Sequence, residues 1–125
     1  MAIYKKSLLA ALIICLAVYI ASARDMKEAV AETVNGTIID NMCATTQNPA
    51  TLDSFVARHT KGCALMPQCA ASGYSIYSGG RLMKFDGPSS VEIEEFLREG
   101  GSLNVTVEAA AGAEGLGLVS IKDRE

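Results

Sequence analysis

Apolar residues recur along residues 33–122 with two different periods, and the switches between those periods predict the elements. Residues 33–40 read as a strand, with Val34, Ile38 and Ile39 around Gly36. A glycine inside such a run predicts a bulge or bend. Asn48-Pro49 marks a loop. Leu52, Phe55, Val56 and His59 then fall at i, i+3, i+4 and i+7, which predicts a helix over 51–59 with Thr51 as its N-cap. Gly62 is expected to interrupt it, and Pro67 limits any further helical turn across residues 63–71.

The second half of the chain is more regular. Residues 74–78 and 81–86 are two strand-like runs, and Gly79-Gly80 between them is a hairpin signal because both positions accept positive φ. Asp86-Gly87-Pro88 ends the hairpin. Ser89 followed by Glu92 predicts a capping box for a helix whose buried stripe is Ile93, Phe96 and Leu97. Gly100-Gly101 stops that helix. Leu103, Val105 and Val107 alternate with Asn104, Thr106 and Glu108, as a half-buried strand does. Residues 109–115 read as a small-residue turn, and 116–122 as the last strand, with Val119 and Ile121 on one face.

The predicted fold is mainly β with short helices. Five strands, a cysteine-containing helical insertion between strands 1 and 2, and a helix between strands 3 and 4 follow the order of a small five-stranded OB-fold-like barrel. Closure would remove exposed sheet edges. An open α+β sheet with the same elements is the rival. On the barrel reading the cysteine segment rims the ligand face.

The N-terminal region follows a different logic. Lys5 and Lys6 precede an apolar run over 8–21, and Ala21-Ser22-Ala23 is a small-x-small cleavage site followed by Arg24 and Asp25. This is the pattern of a secretory signal peptide over 1–23. The run is short of the roughly 20 residues a membrane span needs. Cys15 lies inside the apolar run, with Ile14 where a lipoprotein signal needs a small residue. The expected organisation is a signal peptide at 1–23, an N-terminal arm at 24–32 and the OB-fold-like domain at 33–125. The expected location is periplasmic or extracellular, with membrane contact only through the signal segment before cleavage.

Charge then narrows the partners. All 14 acidic residues but only 9 of the 11 basic ones lie beyond residue 23, so the mature chain carries a net charge of −5. There is no tryptophan and no run of lysine and arginine. Nucleic-acid binding, which needs basic patches against phosphates, is therefore not expected. An unidentified protein or a small ligand is the partner class that remains.

The chemistry concentrates in one segment. Cys43, His59, Cys63 and Cys69 follow the spacing Cys-x15-His-x3-Cys-x5-Cys, flanked by Met42 and Met66. Thiols and imidazole suit zinc or copper(I), and two thiols can also join as a disulfide. An oxidising compartment favours disulfides, but three cysteines leave one unpaired. A metal site using all three removes that parity problem. His59 and Cys63 would share a face on a continuous helix. Cys63-x5-Cys69 is wider than the usual zinc pair, with Pro67 supplying a turn. The plainer role for His59 is a histidine packed at the core edge. Met42 and Met66 are more often core filler than ligands, and Met66 is kept as an additional candidate ligand.

Other features carry less. Redox thiol chemistry lacks a Cys-x-x-Cys pair. One histidine and no convergent acid-base pair leave no catalytic residues to name. Glu92, Glu94, Glu95 and Glu99 read as a solvated helix face, and Tyr74 and Tyr77 as hairpin residues. Asn35-Gly36-Thr37 and Asn104-Val105-Thr106 are glycosylation sequons, relevant only in a eukaryotic secretory pathway.

Asp40-Asn41-Met42-Cys43, then His59, then Cys63-Ala64-Leu65-Met66-Pro67-Gln68-Cys69 and Ser72-Gly73-Tyr74 together resemble a group of small exported bacterial proteins of unknown function. The resemblance extends to Gly79-Gly80 with Lys84-Phe85-Asp86 and to Val105-Thr106-Val107. It implies an exported OB-like domain and brings no assigned activity. Two expectations result. The first is an exported, non-catalytic binding domain that holds a soft metal ion, zinc or copper(I), through Cys43, His59, Cys63 and Cys69. The second is a disulfide-stapled OB-like module that binds a protein or glycan.

Overall fold

The protein is described from a computed structural model over residues 29–125. The expected signal peptide at 1–23 and residues 24–28 of the expected arm lie outside the described residues. The element order is β1 (Glu32–Asp40), α1 (Asn41–Thr45), α2 (Pro49–Arg58), α3 (Lys61–Ala64), α4 (Pro67–Ala71), β2 (Tyr74–Ser78), β3 (Arg81–Lys84), α5 (Gly87–Arg98), β4 (Asn104–Gly112) and β5 (Gly115–Asp123). Among the described residues no helix is long and apolar enough to cross a membrane.

The strands form one antiparallel sheet in the order β3-β2-β1-β4-β5. β1 is its central strand and changes partner along its length. Residues 32–37 pair with β4, and residues 37–40 pair with β2. No register shift occurs at Gly36, so the expected bulge is absent. The glycine instead lets strands approach. A Cβ built there would lie 2.5 Å from the Tyr77 carbonyl oxygen and 2.7 Å from Ile76 Cγ1.

The sheet is not closed. Its outer strands meet at one isolated parallel bridge, Phe85 with Leu116. The Asp86 N–H donates to the Leu116 carbonyl there.

Two apolar clusters divide at β1 because successive strand residues point to opposite faces. Ile38 joins the main core with Tyr74, Ile76, Phe85, Ile93, Leu97 and Val105. Ile39 points the other way, into a smaller cluster with Ala44 and Val56, against which Cys43, Leu52, Phe55 and Tyr77 pack. The inserted helices thus bury the second face of β1. Leu52, Phe55 and Val56 supply the expected face of α2.

Caps are where local sequence reasoning misplaced boundaries. α2 starts at Pro49, with Asn48 as N-cap accepting from the Ala50 and Thr51 N–H groups, so Thr51 is not the cap. Proline fits the first helical turn because its missing N–H is unpaired there anyway. α2 ends at Arg58 and α3 restarts at Lys61, with Thr60 as its N-cap. The interruption is therefore at His59-Thr60, and Gly62 lies within α3. Similarly, Asp86 and not Ser89 caps α5, accepting from the Ser89 N–H at 2.9 Å. Ser89 and Ser90 instead face the sheet. Their hydroxyls accept from the Leu118 and Tyr74 N–H groups.

The Gly79-Gly80 hairpin forms as expected, with φ of 55° and 78° and Ser78 paired with Arg81. The turn expected over 109–115 is much shorter, because β4 runs to Gly112 and β5 begins at Gly115. The ladder shifts after Glu108, where Glu108 pairs with Ser120 and Ala109 with Leu118. Val119 is the residue passed over. It is 60% exposed, whereas Leu116, Leu118 and Ile121 pack on the core. This bulge separates Val119 from Ile121, which the alternation had placed on one face.

Candidate metal centre

Four consecutive short helices bring the sequence-identified donors to the end of β1. Asp40, the last residue of β1, caps α1, and its Oδ2 accepts from the Cys43 N–H at 2.9 Å. Cys43 is thereby fixed in the first turn of α1. His59 is the C-cap of α2, with extended backbone that ends the helix and a side chain only 1% exposed. The Phe55 ring lies against it, with centroids 5.5 Å apart. Cys63 is held in α3 by its N–H donating to Thr60 Oγ1 at 3.2 Å. Cys69 lies in α4 and is buried.

The helices are anchored by hydrogen bonds that sequence patterning does not reveal. The Tyr74 hydroxyl, fully buried, donates to the Ala64 carbonyl at 2.9 Å and so pins α3 onto β2. Burial pushes that phenol up to about 12. Lys61 Nζ donates to the Gly101 carbonyl at 2.9 Å and ties α3 to the loop after α5. The Ser72 hydroxyl donates to the Cys69 carbonyl at 2.6 Å and accepts from the Met42 N–H at 2.9 Å. That one side chain links the helix of Cys43 to the helix of Cys69.

The result is two triads of donor atoms that share Cys43. In one, the donors of Cys43, His59 and Cys63 all lie within 4.8 Å of one another. In the other, those of Asp40, Cys43 and Cys69 do. Zinc–sulfur bonds of about 2.3 Å in a tetrahedron set sulfurs roughly 3.8 Å apart, so the spacing within each triad fits one ion with small side-chain adjustments, while Cys69 is grouped with Cys43 but not with His59 or Cys63. The three thiols are free, with no disulfide among the described residues.

Burial and charge act on the thiols in the same direction. Burial first, and the adjacent Asp40 carboxylate second, push the Cys43 thiol up to about 12. The same two causes raise Cys69. A cation in the cluster would reverse this, because a coordinated thiol loses its proton outright.

The imidazole is the least satisfied group. His59 Nε2 lies 2.9 Å from Asp40 Oδ1, with both side chains sealed from solvent. The contact is not aligned as a hydrogen bond. Asp40 Oδ1, His59 Nδ1 and His59 Nε2 are all buried without a hydrogen-bond partner. Buried polar atoms are rarely left so, and a missing ion is one of the standard reasons. A carboxylate beside a histidine that faces thiols is also how proteins orient imidazole toward a metal.

Access exists on one side. A cavity of about 300 Å³ is lined by Phe55, Arg58, His59, Thr60 and Cys63. Met66, the N-cap residue of α4, is 46% exposed, and Met42 is 42% exposed. Neither is core filler. Both lie at the surface of the helical segment and not in the buried cluster.

Asp40 is the residue that sequence reasoning left without a role. Its signal was legible as an acidic residue ending a β-branched run three residues before a helical cysteine, which is N-cap spacing.

Comparison with protein-family models, with curated proteins and with solved structures finds no match to this chain.

Proposed function

We propose that this chain is an exported, non-catalytic domain that binds a soft or borderline metal ion, zinc or copper(I), through Cys43, His59, Cys63 and Cys69. The observation that carries the reading is the convergence of two donor triads on Cys43, beside an imidazole whose two nitrogens are buried without partners. A histidine serving only as packing at the core edge would be expected to find a hydrogen-bond partner within the protein. Thiolates and imidazole form the donor set that zinc and copper(I) take up.

The sheet supports an OB-like reading of the scaffold. The order β3-β2-β1-β4-β5 with β3 approaching β5 in parallel leads toward a barrel, and the cysteine segment is the connection between its first two strands. That connection rims the ligand face in OB-folds.

A second reading has its own observation. Cys43 lies within 4.8 Å of both Cys63 and Cys69 at the sulfurs. Either pair is near enough to close into a disulfide in an oxidising compartment, which would staple a protein- or glycan-binding module. Metal analysis with a free-thiol count on protein recovered from the exported fraction separates the two. One ion per chain with three thiols recovered after chelation supports the metal site. One free thiol and no ion overturns it in favour of the staple.

A further inference from the structure

We infer that Asp40 sets the ion preference of this site, favouring a dication of the zinc class over copper(I). The inference rests on the metal reading above and deepens it. It starts from where the carboxylate lies. Asp40 is completely buried at the end of β1, with Oδ2 on the Cys43 N–H and Oδ1 against His59 Nε2. It is also one of the donors in the triad with Cys43 and Cys69. Among the described residues neither lysine nor arginine forms an ion pair with it, the other ion pair being Arg98 with Glu94. His59 is its one basic neighbour in such a contact.

A buried carboxylate without a fixed cation is costly unless something positive compensates it. Cys43 and Cys69 are its partners in that donor triad, so their thiolates would stand beside its negative charge. An ion seated among these thiols must let them ionise beside that carboxylate. A dication offsets twice the negative charge that copper(I) does. Zinc also accepts carboxylate oxygen as a ligand, whereas copper(I) is selected by soft thiolate and thioether donors. The one hard donor in an otherwise soft cluster therefore acts on zinc and does little for copper(I), whether it binds the ion or orients His59 toward it.

The test uses Asp40→Asn. Asparagine is as good an N-cap as aspartate, so the Cys43 N–H keeps its acceptor while the charge is removed. Zinc and copper(I) affinities are measured for both proteins by competition with chromophoric chelators under reducing conditions. The expected result is a loss of about 10–100-fold for zinc, the range typical of removing a group that orients a ligand. Copper(I) affinity should change much less, so that the zinc-to-copper ratio falls. Equal weakening of both ions would mean that Asp40 only holds the local structure, and it would overturn the inference. So would unchanged zinc binding. Asp40→Glu, which keeps the charge, should retain more of the zinc-to-copper ratio than Asp40→Asn, and a ratio as low as that of the asparagine variant would also overturn it. A parent protein that takes up neither ion defeats the metal reading itself, an outcome distinct from a parent that binds both without an Asp40 effect.

Discussion

Asp40 Oδ1 and His59 Nε2 lie 2.9 Å apart with both side chains closed to solvent, joining the end of β1 to the end of α2. The other oxygen of the same carboxylate holds the first turn of α1 through the Cys43 N–H. One side chain therefore holds the backbone of a thiol residue and stands against an imidazole 16 residues further along the sequence.

The shared position of Cys43 predicts unequal effects among the cysteines. Cys43→Ser removes a donor from both triads, whereas Cys63→Ser and Cys69→Ser each remove one from a single triad. Zinc affinity should fall most for Cys43→Ser, beyond the roughly 10–100-fold of a lost orienting group. His59→Ala should weaken binding too, and Met66→Leu should leave zinc unaffected because a thioether matters only to copper(I). Chelator competition on each variant reads this order. If the thiols form a staple instead, two cysteine variants would lose about 2–5 kcal/mol together and the third would be silent.

Removing the Ser72 hydroxyl should loosen the site without touching a donor. Ser72→Ala leaves the Met42 N–H and the Cys69 carbonyl without their link, and α1 is no longer tied to α4 at that point. A loss of about 1–2 kcal/mol in urea unfolding is expected, with weaker metal binding. Tyr74→Phe should cost about 1 kcal/mol for the same reason at α3, since the Ala64 carbonyl then lacks its donor. Stability unchanged in both variants would show that these hydrogen bonds are not what holds the helical segment.

Much of the fold was legible in the sequence, for identifiable reasons. The Gly79-Gly80 turn and the Ile93-Phe96-Leu97 stripe depend on local chemistry alone, and both form as read. Leu52, Phe55 and Val56 also pack as the face of α2, whereas His59, expected to continue that face, lies past the end of the helix. What failed depends on tertiary partners. Ser89 has the residue type of a cap, but it is committed to the Leu118 N–H across the molecule. Val119 follows the alternation until the bulge against Glu108 and Ala109 turns it outward. The sequons show a similar effect. Thr106 Oγ1 donates to Asn35 Oδ1 at 2.6 Å, and Thr37 Oγ1 donates to Asn104 Oδ1 at 3.1 Å. The two Asn-x-Thr triplets face each other across β1 and β4 as reciprocal cross-strand pairs. Such pairs stabilise a sheet by about 0.2–1 kcal/mol each, which accounts for both triplets without glycosylation. At the site, spacing singled out four candidate donors, but only the fold shows Asp40 and Cys43 close to His59.

Export is the simplest prediction to check. Ala21 and Ala23 before the charged Arg24 place cleavage after residue 23. Mass measurement of the exported form should give Arg24 as its first residue. A mature protein that retains the apolar run over 8–21 would instead be anchored in a membrane.

Among the described residues, Asp86 gives the fold its clearest acid sensitivity. Its side chain accepts from the Ser89 N–H at the start of α5, and hydrogen bonding from the Ser89 side chain first, and from its N–H second, holds its carboxyl below the usual carboxylate range. A depressed folded-state value means that the group stabilises the fold fully above its unfolded value. That contribution fades as pH falls through the folded value. Asp86→Ala should therefore cost about 1 kcal/mol near neutral pH, as loss of a cap does. The difference from the parent should shrink as pH is lowered from about 6 to about 3, because the parent carboxylate is then protonated and caps less well. Asp86→Asn keeps an acceptor without the charge, so it should lose less than Asp86→Ala and show a flatter dependence on acid than the parent. Urea melts of the three proteins across this pH range measure all of these differences. A gap between parent and Asp86→Ala that stays constant down to the acid limit would mean that the charge on Asp86 contributes nothing to the cap.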